Sequence, residues 1–178
     1  MANGLQVKLE VKTLNKLKNH IEYIKLYNSL GTDKGFEKYM QDKFLETVNK
    51  ISVRDLPESE LSIVYIGNNK IRPFEGGFEL YNDTYVDTES EGYDGKFSIA
   101  LAFEYGTGLV GMENPKENAW QYNVNQHEKG WTYFKDGEFH FTRGFEGFEI
   151  YRKTKEEIEN NLLKWVKQYK KKDGGVSL

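Results

Sequence analysis

The sequence predicts an α+β fold: an antiparallel sheet with a long central strand and an Asp-Gly hairpin, packed against N-terminal helices and a C-terminal helix. Three observations carry this. Apolar residues recur at three- and four-residue intervals before Pro57 and again after Thr154, the spacing of helices that bury one face. Between them the pattern shortens to runs of strand length. Asp136-Gly137 then separates two such runs as a two-residue turn whose twist matches that of paired strands.

The chain has 178 residues, which suits one domain, placed at 1–172, with 173–178 as a disordered tail. Leu5, Val7, Leu9 and Val11 alternate with Gln6, Lys8 and Glu10, which predicts a short strand. Leu14, Leu17, Ile21, Ile24 and Tyr27 then mark a first helix that ends near Gly31. Asp33 caps a second helix, whose stripe Phe36, Met40, Phe44, Val48 and Ile51 runs to Leu56-Pro57.

The sheet is expected over 59–142. Residues 61–66, closed by Gly67-Asn68-Asn69, read as a strand; 78–86 form a less regular one. The nearly unbroken apolar run 97–105 reads as the central strand. In the hairpin 131–142, Phe134 faces Phe139 and Thr132 faces Phe141, so three phenylalanines share one side while Trp131, Tyr133 and His140 share the other. Two partly apolar faces imply one contact with the core and another with a subunit. Thr154 and Glu157 form a capping box for a helix over 154–172, with Ile158, Leu162, Trp165 or Val166, and Tyr169 inward and Lys170 to Lys172 at its end.

Composition narrows the chemistry. A net charge of −3 gives no field that would make nucleic acid or an acidic membrane the main partner. Cysteine is absent, which removes disulfides, thiolate metal sites and cysteine nucleophiles. The first residues lack the basic patch and apolar run of a signal peptide, and no stretch is long and apolar enough for a membrane span, so a soluble product made in the cytoplasm is expected.

Gly106-Thr-Gly108-Leu-Val-Gly111 matches the dinucleotide fingerprint G-x-G-x-x-G. That fingerprint works where its glycines open a helix whose amides hold the pyrophosphate. Asn114-Pro115 follows at once, so no helix of useful length is expected from Gly108, and no cofactor is assigned. Asp87, Glu89, Glu91 and Gly92 imitate a calcium loop, but its twelfth place is Ser98, which cannot supply the bidentate ligand. His20, His127 and His140 lack zinc spacing, and no G-x-S-x-G elbow is present, so neither a metal nor a catalytic residue is assigned. Residues 74–95 hold seven carboxylates and no Lys or Arg, a solvated loop or, in a ring of copies, a negative rim past which DNA slides. The lysine-rich last helix reads as a solvated face, with phosphate contact as the alternative.

The order of motifs supplies a further clue. Ala100-Leu-Ala-Phe-Glu104-Tyr105-Gly106-Thr107-Gly108, then Trp120-Gln-Tyr-Asn-Val-Asn125, then Gly130-Trp131-Thr-Tyr133, then Thr142-Arg143-Gly144-Phe145 resembles a family of tailed-bacteriophage neck proteins, the head-tail joining or tail-completion proteins. The resemblance spans mainly 97–151. Where many relatives follow the last motif with a Pro-Phe-aliphatic segment, this chain has Phe145-Glu-Gly-Phe-Glu-Ile-Tyr151.

The resemblance implies a non-enzymatic virion subunit without cofactor. Such a subunit forms a sixfold or twelvefold ring between a portal-side connector or head-closure protein and the tail tube or tail terminator protein, with DNA passing through the lumen and no membrane contact. It implies a subunit interface at Glu104, Tyr105, Gly106, Thr107, Gly108, Gly111, Trp131, Tyr133, Arg143 and Phe145, with Arg143 pairing a charge or carbonyl. The competing readings are a small carboxylate- or metal-dependent phage enzyme and a nucleic-acid-binding module.

Overall fold

Helix α1, Lys34–Asp55, forms where the stripe requires it: Phe36, Met40, Phe44, Val48 and Ile51 are all buried. Lys38–Asp42 and Lys43–Glu46 pairs line its outer surface. The computed structural model describes residues 5–8, 34–74, 77–87, 96–117, 130–135 and 137–172, with the side chains of 5–8, 74, 77, 87, 131, 133–135 and 172 left aside. The expected first helix, Asp33 as a cap, His20, His127, the Trp120–Asn125 motif, the middle of the acidic stretch and the tail 173–178 lie outside the described residues.

After Pro57 the chain forms helix α2, Glu60–Gly67, where a strand was expected. The Ser59 hydroxyl accepts the Ser62 amide at 3.1 Å and caps it. Ser62 and Tyr65 are buried and Leu61 and Ile66 pack on the core, while Ile63 and Val64 are exposed, a helical alternation that the mostly apolar segment 61–66 conceals. Strands β1 (Leu5–Lys8), β2 (Asn69–Phe74) and β3 (Gly77–Asn82) then form an antiparallel sheet in the order β1-β3-β2. Strand β2 was not expected; it carries Pro73, tolerated because it lies at the sheet edge. Its Arg72 reaches across the ladder to the buried Glu79 at 2.5 Å and lies over the Tyr81 ring.

Strands β4 (Tyr85–Asp87) and β5 (Lys96–Ser98) form a second antiparallel pair. The long central strand expected over 97–105 ends there. Ser98 accepts the Leu101 amide and opens helix α3, Ile99–Tyr105. An unbroken apolar run is compatible with a strand buried on two faces and with a helix buried nearly all round, and here the small Ala100 and Ala102 are fully buried. The sheet expected over 59–142 is accordingly four small antiparallel sheets among the described residues.

Strand β6 (Gly106–Thr107) and helix α4 (Gly108–Glu113) follow, then the hairpin β7 (Trp131–Lys135) and β8 (Glu138–Thr142), and β9 (Phe145–Glu146), which pairs with β6. The hairpin has the register its turn dictates, Phe134 opposite Phe139 and Thr132 opposite Phe141. Helix α4 does begin at Gly108, but it is only six residues long and stops at Glu113 before Asn114-Pro115.

Helix α5, Ile150–Lys172, starts a turn earlier than Thr154. Thr154 is interior and buried, its hydroxyl donating to the Ile150 carbonyl at 2.7 Å, so it caps nothing. Ile158, Leu162, Trp165, Val166 and Tyr169 are buried, and Tyr169 meets Phe36 of α1 edge-on at 5.3 Å. Each such side chain contributes roughly 1.5–3 kcal/mol by leaving water. Lys153 reaches Asp55 at 2.7 Å, joining the start of α5 to the end of α1, and Arg54, followed by Lys153, holds the Asp55 carboxyl well below its ordinary range.

Candidate functional site

The motif Glu104-Tyr-Gly-Thr-Gly and the motif Thr142-Arg-Gly-Phe meet in space. Gly106 pairs with Glu146 and Thr107 with Phe145, and the Val110 amide donates to the Arg143 carbonyl at 3.1 Å. The Phe148 and Glu149 amides donate to the Phe103 and Glu104 carbonyls at 2.7 and 3.2 Å. This clasp needs bare backbone. Gly144 has φ +87°, and a Cβ there would overlap the Thr107 carbonyl.

Glu104 anchors the clasp to α5. Its carboxylate accepts the Tyr151 amide at 2.7 Å on one oxygen and the Arg152 amide at 3.1 Å on the other. Those are first-turn amides of α5, which have no intrahelical acceptor and lie at the positive end of the helix dipole. Burial pushes the carboxyl up to about 7, against the opposing pull of the two amides. Glu149, at φ +55°, turns the chain into α5 and holds Arg152 through both carboxylate oxygens, at 2.5 and 2.9 Å, which keeps the Glu149 carboxyl below its ordinary range.

No family model, curated protein or solved structure matches this chain. Of the residues expected at a subunit edge, Glu104, Tyr105, Gly106, Thr107, Gly108 and Gly111 are buried within the single chain. The strand end expected there is the end of a helix. Phe145 is half-buried, stacked on Phe148 at 5.7 Å and against Phe103 at 5.9 Å. Trp131 and Tyr133 lie in β7, with side chains outside the described residues. Arg143 is exposed and loosely paired with Glu113 at 3.8 Å.

What the molecule presents outward lies elsewhere. Phe139 and Phe141, on the phenylalanine face of the hairpin, are 79 % and 65 % exposed. Their side was legible from the turn; their exposure was not. Ile63 on α2 is exposed to a similar degree, a position that a strand reading could not separate from its buried neighbours. Two members of the acidic stretch are engaged, Glu79 by Arg72 and Asp83 by Lys70. Among the described residues no three His, Asp or Glu side chains gather as a metal site, and no helix is long and apolar enough to cross a membrane.

Proposed function

We propose that this chain is a structural virion protein of a tailed phage or prophage, one subunit of a ring in the neck that joins the head connector to the tail. The observation that carries the reading is the ordered motif set of residues 100–145. Its two outer motifs close on each other as the clasp, and between them the chain extends a hairpin with two exposed phenylalanines. That division suits an assembly subunit: one set of motif residues fixes the frame, and the segment between them offers apolar surface to a neighbour.

The contact surface in this reading is the Phe139 and Phe141 face together with Arg143, in place of the buried glycine run. Its partners are neighbouring copies in a sixfold or twelvefold ring, the portal-side connector or head-closure protein, and the tail tube or tail terminator protein. DNA passes through the lumen unbound. Native mass measurement and negative-stain imaging of the purified protein mixed with its neck partners should reveal rings. A chain that stays monomeric with those partners and never joins tails defeats the proposal.

A further inference from the structure

Among the described residues, Val53 and Val86 are exposed singly, as any surface shows, but the other large exposed apolar side chains come as two pairs. Phe139 and Phe141 share one face of β8, and Arg143, next in that alternation and also exposed, lies just past its end. Thr132, opposite Phe141, is exposed too, so the face is open across both strands. Ile63 and Val64 lie on α2, where Glu60, Ile63, Val64 and Gly67 recur at helical spacing and are all exposed. That helix therefore turns outward a face that is acidic at its start and apolar to its end. Nothing lies within 4 Å of a Cβ built on Gly67, so the apolar end is open.

We infer that these two faces meet between copies of this chain: Phe139 and Phe141 of one copy lie on the α2 face of the next, with Arg143 against Glu60. Their charges are complementary and available. Glu58 and Glu60 have no ion pair among the described residues, and Arg143 has only its 3.8 Å approach to Glu113. A second copy is favoured over a foreign partner because it accounts for both faces at once, whereas a foreign partner on either leaves the other uncovered.

The charges also set the direction of the contact. With β8 antiparallel to α2, Phe139 lies over the open Gly67, Phe141 over Ile63 and Val64, and Arg143 beside Glu60. The extended span from Phe139 to Arg143 is about 14 Å. From Gly67 to Glu60 the helix rises about 10 Å, a difference that the long side chains of arginine and glutamate close. The reverse direction sets Arg143 on the apolar end and Phe139 on the acidic one. Because each copy offers one face and uses the other, the contact is heterologous, and it closes into a ring where the rotation between copies allows. The inference rests on the neck-ring reading for that closed assembly, while the pairwise contact is tested on the chain alone.

The sequence has no cysteine, so introduced thiols report only the contact under test. Full-length Phe139→Cys and Ile63→Cys chains, one of them carrying an affinity tag, are mixed and mildly oxidised. Mixed disulfide dimers should outnumber both homodimers, because the contact brings the unlike positions within disulfide reach and holds the like positions apart. Phe139→Cys mixed with Lys164→Cys, at an exposed position of α5, should give only collisional background. Adding Arg143→Glu to the Phe139→Cys chain should lower the mixed-dimer yield roughly fivefold. Adding Glu60→Arg to the Ile63→Cys chain should then restore it. Mixed dimers no more abundant than the Lys164→Cys background, or a dominant Phe139→Cys homodimer, overturn the contact, as does failure of the Glu60→Arg rescue. Capture of either introduced cysteine by a neck partner in place of a second copy overturns it too and makes that partner the occupant. None of these results touches the neck-ring reading, which is decided with neck partners and tails. Mixed dimers from a chain that never joins tails uphold the contact and defeat that reading.

Discussion

Gly144 and Gly137 hold nearly the same backbone angle, φ +87° and +86°, in two regions built on different physics. In the clasp, the Gly144 Cα faces a wall of backbone at Thr107 and Gly108. At the hairpin tip, nothing lies within contact of a Cβ built on Gly137. The clasp is specified by long-range approach and a buried carboxylate; the hairpin is specified by a turn two residues long. The first cannot tolerate added atoms. The second can, and it is the second that carries exposed apolar surface.

The largest effect should come from testing that contrast directly. Gly144→Ala combines left-handed strain with backbone overlap and should cost about 4 kcal/mol in urea denaturation, whereas Gly137→Ala should cost only about 1–2 kcal/mol of strain. Equal losses would erase the distinction between the two regions. Next, Glu104→Ala leaves two first-turn amides of α5 without an acceptor and should cost about 2–3 kcal/mol, read from the same denaturation curves.

Smaller effects sharpen the picture. The Thr107 hydroxyl is buried and has no hydrogen-bond partner, and its extended backbone suits a β-branched residue, so Thr107→Val should raise stability by up to about 1 kcal/mol. A loss in thermal denaturation would mean that the hydroxyl does structural work in the clasp. Least of all, Phe139→Ser with Phe141→Ser should change stability by about 0.5 kcal/mol or less per site. Under the proposed function, the same pair should abolish ring formation in sedimentation with the neck partners. A stability loss as large as that of Glu104→Ala would instead place this face in the core.

The two regions also differ in how far sequence discloses them. The hairpin register was readable because Asp136-Gly137 fixes which residues pair, with no reference to the rest of the chain. The stripes of α1 and α5 were readable because each helix buries one face at a regular interval. Residues 61–66 and 97–105 misled for the opposite reason. Their apolar runs are dense, and the decisive signals were single serines, Ser59 and Ser98, placed as helix caps. The early start of α5 was hidden altogether, since its capping carboxylate comes from Glu104 on another element.

The candidate interface divides along the same line. The motif Glu104-Tyr-Gly-Thr-Gly stood out in the sequence, yet its glycines are buried by packing inside the chain itself. Nothing local distinguishes a glycine that admits a neighbouring subunit from one that admits a distant part of its own chain.

Residue spacing within one element or one turn is enough to give the α+β class, the helical stripes and the hairpin register. Only the tertiary structure decided that the two motifs clasp each other, that Glu104 serves the start of α5, and that Phe139 and Phe141 face outward. Those outcomes depend on which distant backbone fills the space beside each residue, and the burial of a polar group or an apolar face is set by that neighbour.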